Sequence, residues 1–231
     1  MLEEIKRGIS DLNLDNAFNP KFVSLDFEMG AILAFIHCFP GISIIGCWFH
    51  YAQYLFNKIK DLGLPKAYNE DETLQVLFEN CVALELCYHK NDDDSEVKDI
   101  FIEHVIHKSI ETQRKYPKFK NFIDYMNDTW IEGVDESKGP LFKISWWNHW
   151  YHMETRTNNT NEAYNHRIVV KLGNKAHPNI WVWVEFVQEE DLQMSITVEK
   201  ITLKKYLPRS RQKEINKDLQ TANAKVKYLQ T

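Results

Sequence analysis

The sequence predicts a predominantly helical α+β protein, and three observations carry that reading. Gly and Pro are scarce, with eight and seven among 231 residues, which disfavours a turn-rich all-β fold. Only two short runs, residues 22–25 and 42–45, read as buried strands. Most other apolar residues recur at helical spacing.

Taken in order, residues 1–12 form an amphipathic helix with Leu2, Ile5 and Ile9 on one side. Phe22-Val23-Ser24-Leu25 is a strand ending at Asp26, and residues 28–38 are an apolar helix closed by Phe39-Pro40-Gly41. Ile42-Ser43-Ile44-Ile45 is the second strand, followed at Cys47 by a helix to about Lys60. Residues 66–130 read as helices separated by polar breaks. Leu74, Leu77, Phe78 and Cys81 share a face, and Asn91-Asp92-Asp93-Asp94 starts the next helix, where acidic groups favour an N-terminal turn. Helices follow over 96–114 and 119–129, then a turn-rich connector and an aromatic segment over 141–150. Asn158 or Asn159 caps a helix to about Leu172, and His177-Pro178 opens another, since Pro suits a first turn.

Composition bounds the function classes. Hydrophobic residues at 44% and charged residues at 26% describe an ordinary globular chain. The net charge of −5 is uneven: residues 201–231 carry eight Lys/Arg and two Asp/Glu, a balance of +6, so the first 200 residues carry −11. A basic tail attracts phosphate backbones and an acidic body repels them, so charge alone does not make a nucleic-acid binder. The four cysteines include no CxxC pair and no secretory signal opens the chain, which points to free thiols inside a cell. Residues 29–57 lack formal charge with neutral histidines, yet Pro40-Gly41 divides them, favouring helix, turn, strand and helix over a membrane span.

Three patches carry chemistry: Asp26-Phe27-Glu28, Cys47-Trp48-Phe49-His50, and Arg156-Thr157-Asn158-Asn159-Thr160-Asn161-Glu162. In this order and spacing, over roughly residues 20–190, they resemble the later part of the catalytic domain of Mutator-like element (MULE) transposases. Trp147-Asn148 and His177-Pro178-Asn179-Ile180-Trp181 extend the likeness. The resemblance implies part of a ribonuclease-H-like core interrupted by an all-helical insertion. The core would hold residues 1–61, the insertion 62–150, the return to the core 151–200 and a basic tail 201–231.

It also implies a site. Family members cleave and transfer DNA strands at a DDE two-metal centre, where two ions stabilise the attacking and leaving oxygens. Asp26 and Glu162 would be the second and third acids, holding Mg²⁺ or Mn²⁺, because hard oxygen donors suit such ions. The first acid, expected on an earlier strand in a segment like Asp-Gly-Thr-Phe, has no counterpart here; Asp11 and Asp15 sit in or just after a charged helix. The expectation is therefore a truncated, transposase-derived protein, inactive by itself. DNA at transposon ends would be the partner, with a second copy or an upstream segment completing the fold, and the location would be nuclear. A host-recruited DNA- or protein-binding module is the alternative.

The remaining candidates are weighed on the residues alone. Asn159, Glu162, Asn165 and His166 share a helix face that could meet phosphate or base edges, with Asn158 beside it and Arg156 and Arg167 adding charge. A solvated polar face explains the same spacing. Cys47 and His50, at i and i+3, share a helix face, but a zinc site needs further ligands and no second Cys/His pair of comparable spacing supplies them. Supporting the active-site wall or touching DNA fits the pair better. His104/His107 and His149/His152 repeat the spacing as ordinary helix-surface histidines. Trp146, Trp147, Trp150 and Tyr151 could stack on unpaired bases, but such aromatics more often fill a seam inside the protein. Phosphate-cradling Gly loops, dinucleotide fingerprints and GxSxG elbows are absent, and a Cys47/His50 hydrolase dyad lacks an orienting acid visible in sequence order.

Overall fold

The structure is a computed structural model that describes residues 2–11, 19–89, 93–135, 137–151, 159–174, 179–203 and 212–229. Helix accounts for 73% of it, beside one small parallel sheet among the described residues. The chain forms two compact units, residues 1–157 and 158–231.

In the first unit, α1 (Leu2–Asp11) precedes β1 (Phe22–Leu25), α2 (Met29–Cys38), β2 (Ser43–Gly46) and α3 (Trp48–Asp61). The strands pair in parallel, Phe22 with Ser43 through Leu25 with Gly46, so α2 is the crossover that a parallel pair requires. α1 closes the far end of α2: the Lys6 ammonium donates to the Cys38 carbonyl at 2.6 Å and the Cys38 thiol to Glu3 at 3.2 Å.

A helical run follows, comprising α4 (Pro65–Glu70), α5 (Glu72–Ala83), α6 (Ser95–Phe101), α7 (Ile110–Lys115) and α8 (Phe119–Met126). α5 starts where Asp71 accepts from the N–H groups of Thr73 and Leu74, as an N-cap should. The expected helix over 96–114 is present as Ser95–Lys115 but changes pitch, with a π-helical turn at Ile102–Ile106 and a 3₁₀ turn at His107–Ser109. A second π turn, Asn127–Ile131, carries the fully buried Trp130. Gly133 follows with φ of +90°, and a Cβ there would meet the Gly139 carbonyl oxygen at 2.1 Å, so only glycine fits this turn. The short α9 (Ile144–Trp147) packs on β2.

One apolar core runs from Phe27 to Trp147. Residues 62–150, expected as an insertion, thus share a core with residues 22–61. At its centre Tyr51 stacks on Trp147 at 5.1 Å, meets Trp130 edge-on at 4.9 Å and donates its hydroxyl hydrogen to the Cys81 carbonyl at 2.9 Å. Burial pushes the Tyr51 hydroxyl well above the usual phenol range, so it stays a neutral donor.

The second unit contains α10 (Asn159–Lys171), α11 (Ile180–Thr202) and α12 (Gln212–Leu229). The residue before α10, Asn158, lies outside the described residues, as do His177 and Pro178. Asn179 caps α11 by accepting from the Trp181 N–H at 2.9 Å. Lys171 pairs with Glu189 and Glu190, and Arg167 with Glu190, tying α10 to α11. No helix of the described residues is long and apolar enough to cross a membrane.

Candidate metal centre

The strand register builds the site. Leu25 lies opposite Gly46, so the next residues, Asp26 and Cys47, leave adjacent parallel strands side by side. The Cys47 N–H donates to the Leu25 carbonyl at 2.9 Å, continuing the ladder one step. Cys47 is also the residue before α3, and its carbonyl accepts from the Tyr51 N–H at 2.9 Å. His50, three positions on, therefore faces the same side as Cys47. On the other strand, the Asp26 carbonyl accepts from the Glu28 N–H at 2.7 Å, holding the turn into α2.

These constraints bring three side chains together. Their ligand atoms, a carboxylate oxygen of Asp26, Cys47 Sγ and an imidazole nitrogen of His50, all lie within 4.8 Å of one another. His50 Nδ1 is 2.9 Å from Asp26 Oδ1. Cys47 is fully buried, the His50 side chain is 19% exposed and that of Asp26 47%, so the cluster opens to solvent on the carboxylate side.

Phe27 and Gly46 hold the arrangement. The Phe27 ring is 4% exposed and packs edge-on against Trp130 at 4.9 Å and Phe142 at 5.1 Å. A Cβ on Gly46 would lie 2.4 Å from that ring, and 3.1 Å from the Trp146 carbonyl oxygen. The residue after Asp26 and the residue before Cys47 thus interlock, and the absence of a side chain at Gly46 lets Phe27 anchor the strand end. The sequence reading missed this contact.

Asp26, expected as a metal ligand, and Cys47 and His50, expected at the active-site wall, form one set of possible ligands, with Asp26 in the place where a second Cys/His pair was the expected completion. The available signal was the pairing of two adjacent short strands that end in Asp26 and Cys47. The remaining three cysteines stay apart from the cluster, and none of the four is in a disulfide: burial pushes Cys87 up to about 11 and Cys81 higher still, and the bond to Glu3 raises Cys38.

The other expected residues are placed as follows. Glu162 and Asn159 lie on α10 in the second unit, with side chains outside the description, and Arg156 and Asn158 lie outside the described residues. Asn165 and His166 are exposed on α10. Arg167 is engaged with Glu190 and lies 5.0 Å from the centre of the Tyr164 ring. Trp147 is fully buried and Trp150 is 8% exposed, filling the interior; Tyr151 is exposed. Among the described residues, Asp26, Cys47 and His50 form the one candidate metal-holding group; His104 and His107 are exposed as expected, whereas His149, expected on a helix surface, is buried outside any helix, and His152 lies outside the described residues.

The donor set can be tested against the implied ion. Asp26 alone suits Mg²⁺ or Mn²⁺, but a thiol and an imidazole do not suit Mg²⁺, which requires near-octahedral oxygen. As a three-ligand set the cluster does not fit Mg²⁺. A nucleophilic thiol is also poorly served, because the buried Cys47 offers no approach to substrate. No protein-family model, curated protein or solved structure matches this chain.

Proposed function

We propose that this chain derives from a MULE-type DDE transposase and acts through DNA binding rather than strand cleavage by itself. The observation that carries the proposal is the convergence of Asp26 with Cys47 and His50 at the ends of two parallel strands. These are two of the three motifs on which the resemblance rests, and they meet because the strands that end in them pair in parallel. A parallel strand pair joined by a helix is also what a piece of a ribonuclease-H-like core would contribute.

In this reading Asp26 and Glu162 descend from the second and third catalytic acids, which would hold Mg²⁺ or Mn²⁺ in an active relative. The first acid has no counterpart in the sequence, so cleavage is not expected of this chain alone. DNA would meet the Asn165 and His166 face of α10, with Arg167 and the basic tail adding charge, and Arg156, Asn158 and Asn159 are the further DNA contacts that the resemblance offers. The nucleus would be its place of action.

The test is binding of duplex DNA across a salt series, with nicking of supercoiled plasmid scored in Mg²⁺ and in Mn²⁺. Affinity that falls steeply with salt, without nicking, is the expected result. Nicking abolished by both Asp26→Asn and Glu162→Gln would restore the enzyme reading. A chain with no affinity for DNA even at low salt has some other role.

A further inference from the structure

The unsuitability of the Asp26 cluster for Mg²⁺ leads to a different ion. We propose that Asp26, Cys47 and His50 form a three-ligand site for Zn²⁺. The inference stands on local geometry and does not rest on the transposase reading.

Oxygen, nitrogen and sulfur donors from these residue types are the zinc ligand set. At usual Zn–O and Zn–N lengths, tetrahedral ligand atoms sit roughly 3.3 Å apart, and sulfur roughly 3.6 Å from either. The Asp26–His50 separation of 2.9 Å and the 4.8 Å limit on the whole group bracket those values. Closing the set therefore takes side-chain adjustment of roughly 1 Å. Charge also balances: one thiolate and one carboxylate neutralise the dication, with His50 contributing as a neutral imidazole.

The supports are rigid where they need to be. Cys47 is fixed by the ladder bond to Leu25 and by the first turn of α3, and Asp26 by the Phe27 anchor. The exposed side of Asp26 supplies both an entry path and a fourth position for water or an anionic oxygen. Three protein ligands with one open position is the pattern of reactive zinc sites rather than closed structural ones. Zinc here would occupy Asp26, and so compete with any Mg²⁺ that the carboxylate could otherwise help to hold.

The experiment is titration of the full chain with Co²⁺ as a spectroscopic stand-in, followed by displacement with Zn²⁺. A near-ultraviolet sulfur-to-cobalt charge-transfer band, with visible bands of tetrahedral intensity, is expected, and Zn²⁺ should abolish both while excess Mg²⁺ leaves them. Asp26→Asn and His50→Gln, at partly exposed positions, should each weaken Co²⁺ and Zn²⁺ binding by at least the roughly 100-fold that losing an outer-shell partner costs, with unchanged far-ultraviolet circular dichroism. Cys47→Ser should delete the charge-transfer band. Should that buried variant fail to fold, the other two decide the matter. A wild-type chain without the band overturns the proposal, and so does affinity unchanged in Asp26→Asn and His50→Gln. Loss of DNA binding with the cobalt spectrum intact would discard the transposase reading and keep the zinc site.

Discussion

Helices α3 and α11 are both rich in large apolar residues, yet they use them differently. In α3, Tyr51, Leu55 and Ile59 recur every fourth position and are all fully buried. In α11, Ile180-Trp181-Val182-Trp183-Val184 run consecutively around the helix, and every one of them is exposed, Trp181 by 75%. Only Phe186 is buried among the described residues of α11. Spacing, not apolar content, decides burial: a stripe can meet one neighbour, whereas a band around the axis cannot be covered from one side.

The strongest way to break that comparison is to truncate one Trp in each helical setting. Trp147→Ala removes a fully buried ring that stacks on Tyr51 of α3, and the expected loss is about 3–5 kcal/mol. Trp181→Ala should stay within about 0.5 kcal/mol of wild type, as surface changes do. Urea unfolding followed by circular dichroism measures both. Similar losses at the two positions would mean that the α11 band is covered in solution and that the contrast fails.

A second, smaller effect probes how the first unit places its site. Gly46→Ala pushes a methyl into the Phe27 ring, with an expected cost of about 1–3 kcal/mol. Adding Phe27→Leu should return part of it, because the two residues share one space. A strictly additive double variant would show that the interlock is not what holds Asp26 beside Cys47.

These residues show how far the sequence was legible. Both strands and the helices around them follow from local pattern, and β1 matches its expected bounds while β2 starts one residue later. Pairing those strands without a register shift is enough to bring Asp26 next to Cys47. What local pattern does not contain is tertiary contact: the Phe27 ring against Gly46, or the single core joining residues 22–61 to the helices after them. In the tail the sequence shows helical stretches with few large apolar residues; α12 is such a stretch, but what it packs against is not legible from local pattern.

Next in size is the cap of α5. Asp71→Ala removes the acceptor for the Thr73 and Leu74 N–H groups and the Lys115 contact at 2.6 Å, costing about 1 kcal/mol. The hydrogen bond from Lys115, opposed by burial and aided by the Leu74 N–H, holds the Asp71 carboxyl below the usual carboxylate range. Its folded value is thus depressed relative to the unfolded one. The contribution is present above about pH 4, the unfolded value, and disappears as pH falls through the folded value below it. Wild type and Asp71→Ala should therefore converge in stability under acid and diverge toward neutrality; a constant gap would mean that the charge on Asp71 plays no part.

The smallest effect belongs to the second unit. Glu190 receives both Arg167 and Lys171, so Glu190→Gln loosens two links between α10 and α11 at once. Desolvation opposes ionisation of Glu190, but the Lys171 hydrogen bond and the Arg167 charge outweigh it and leave its carboxyl below the usual range. Both cations remain substantially solvated, so salt screens the contacts and their worth is small. The expected change is a slight lowering of the unit's melting temperature that vanishes at high salt. It also bears on DNA, since Glu190→Gln releases Arg167 and leaves Lys171 with Glu189 alone, making positive charge on α10 more available to phosphate. If the DNA-binding reading is right, Glu190→Gln should bind DNA more tightly and with a steeper salt dependence than wild type. An unchanged salt slope would place the DNA contacts somewhere other than this end of α10.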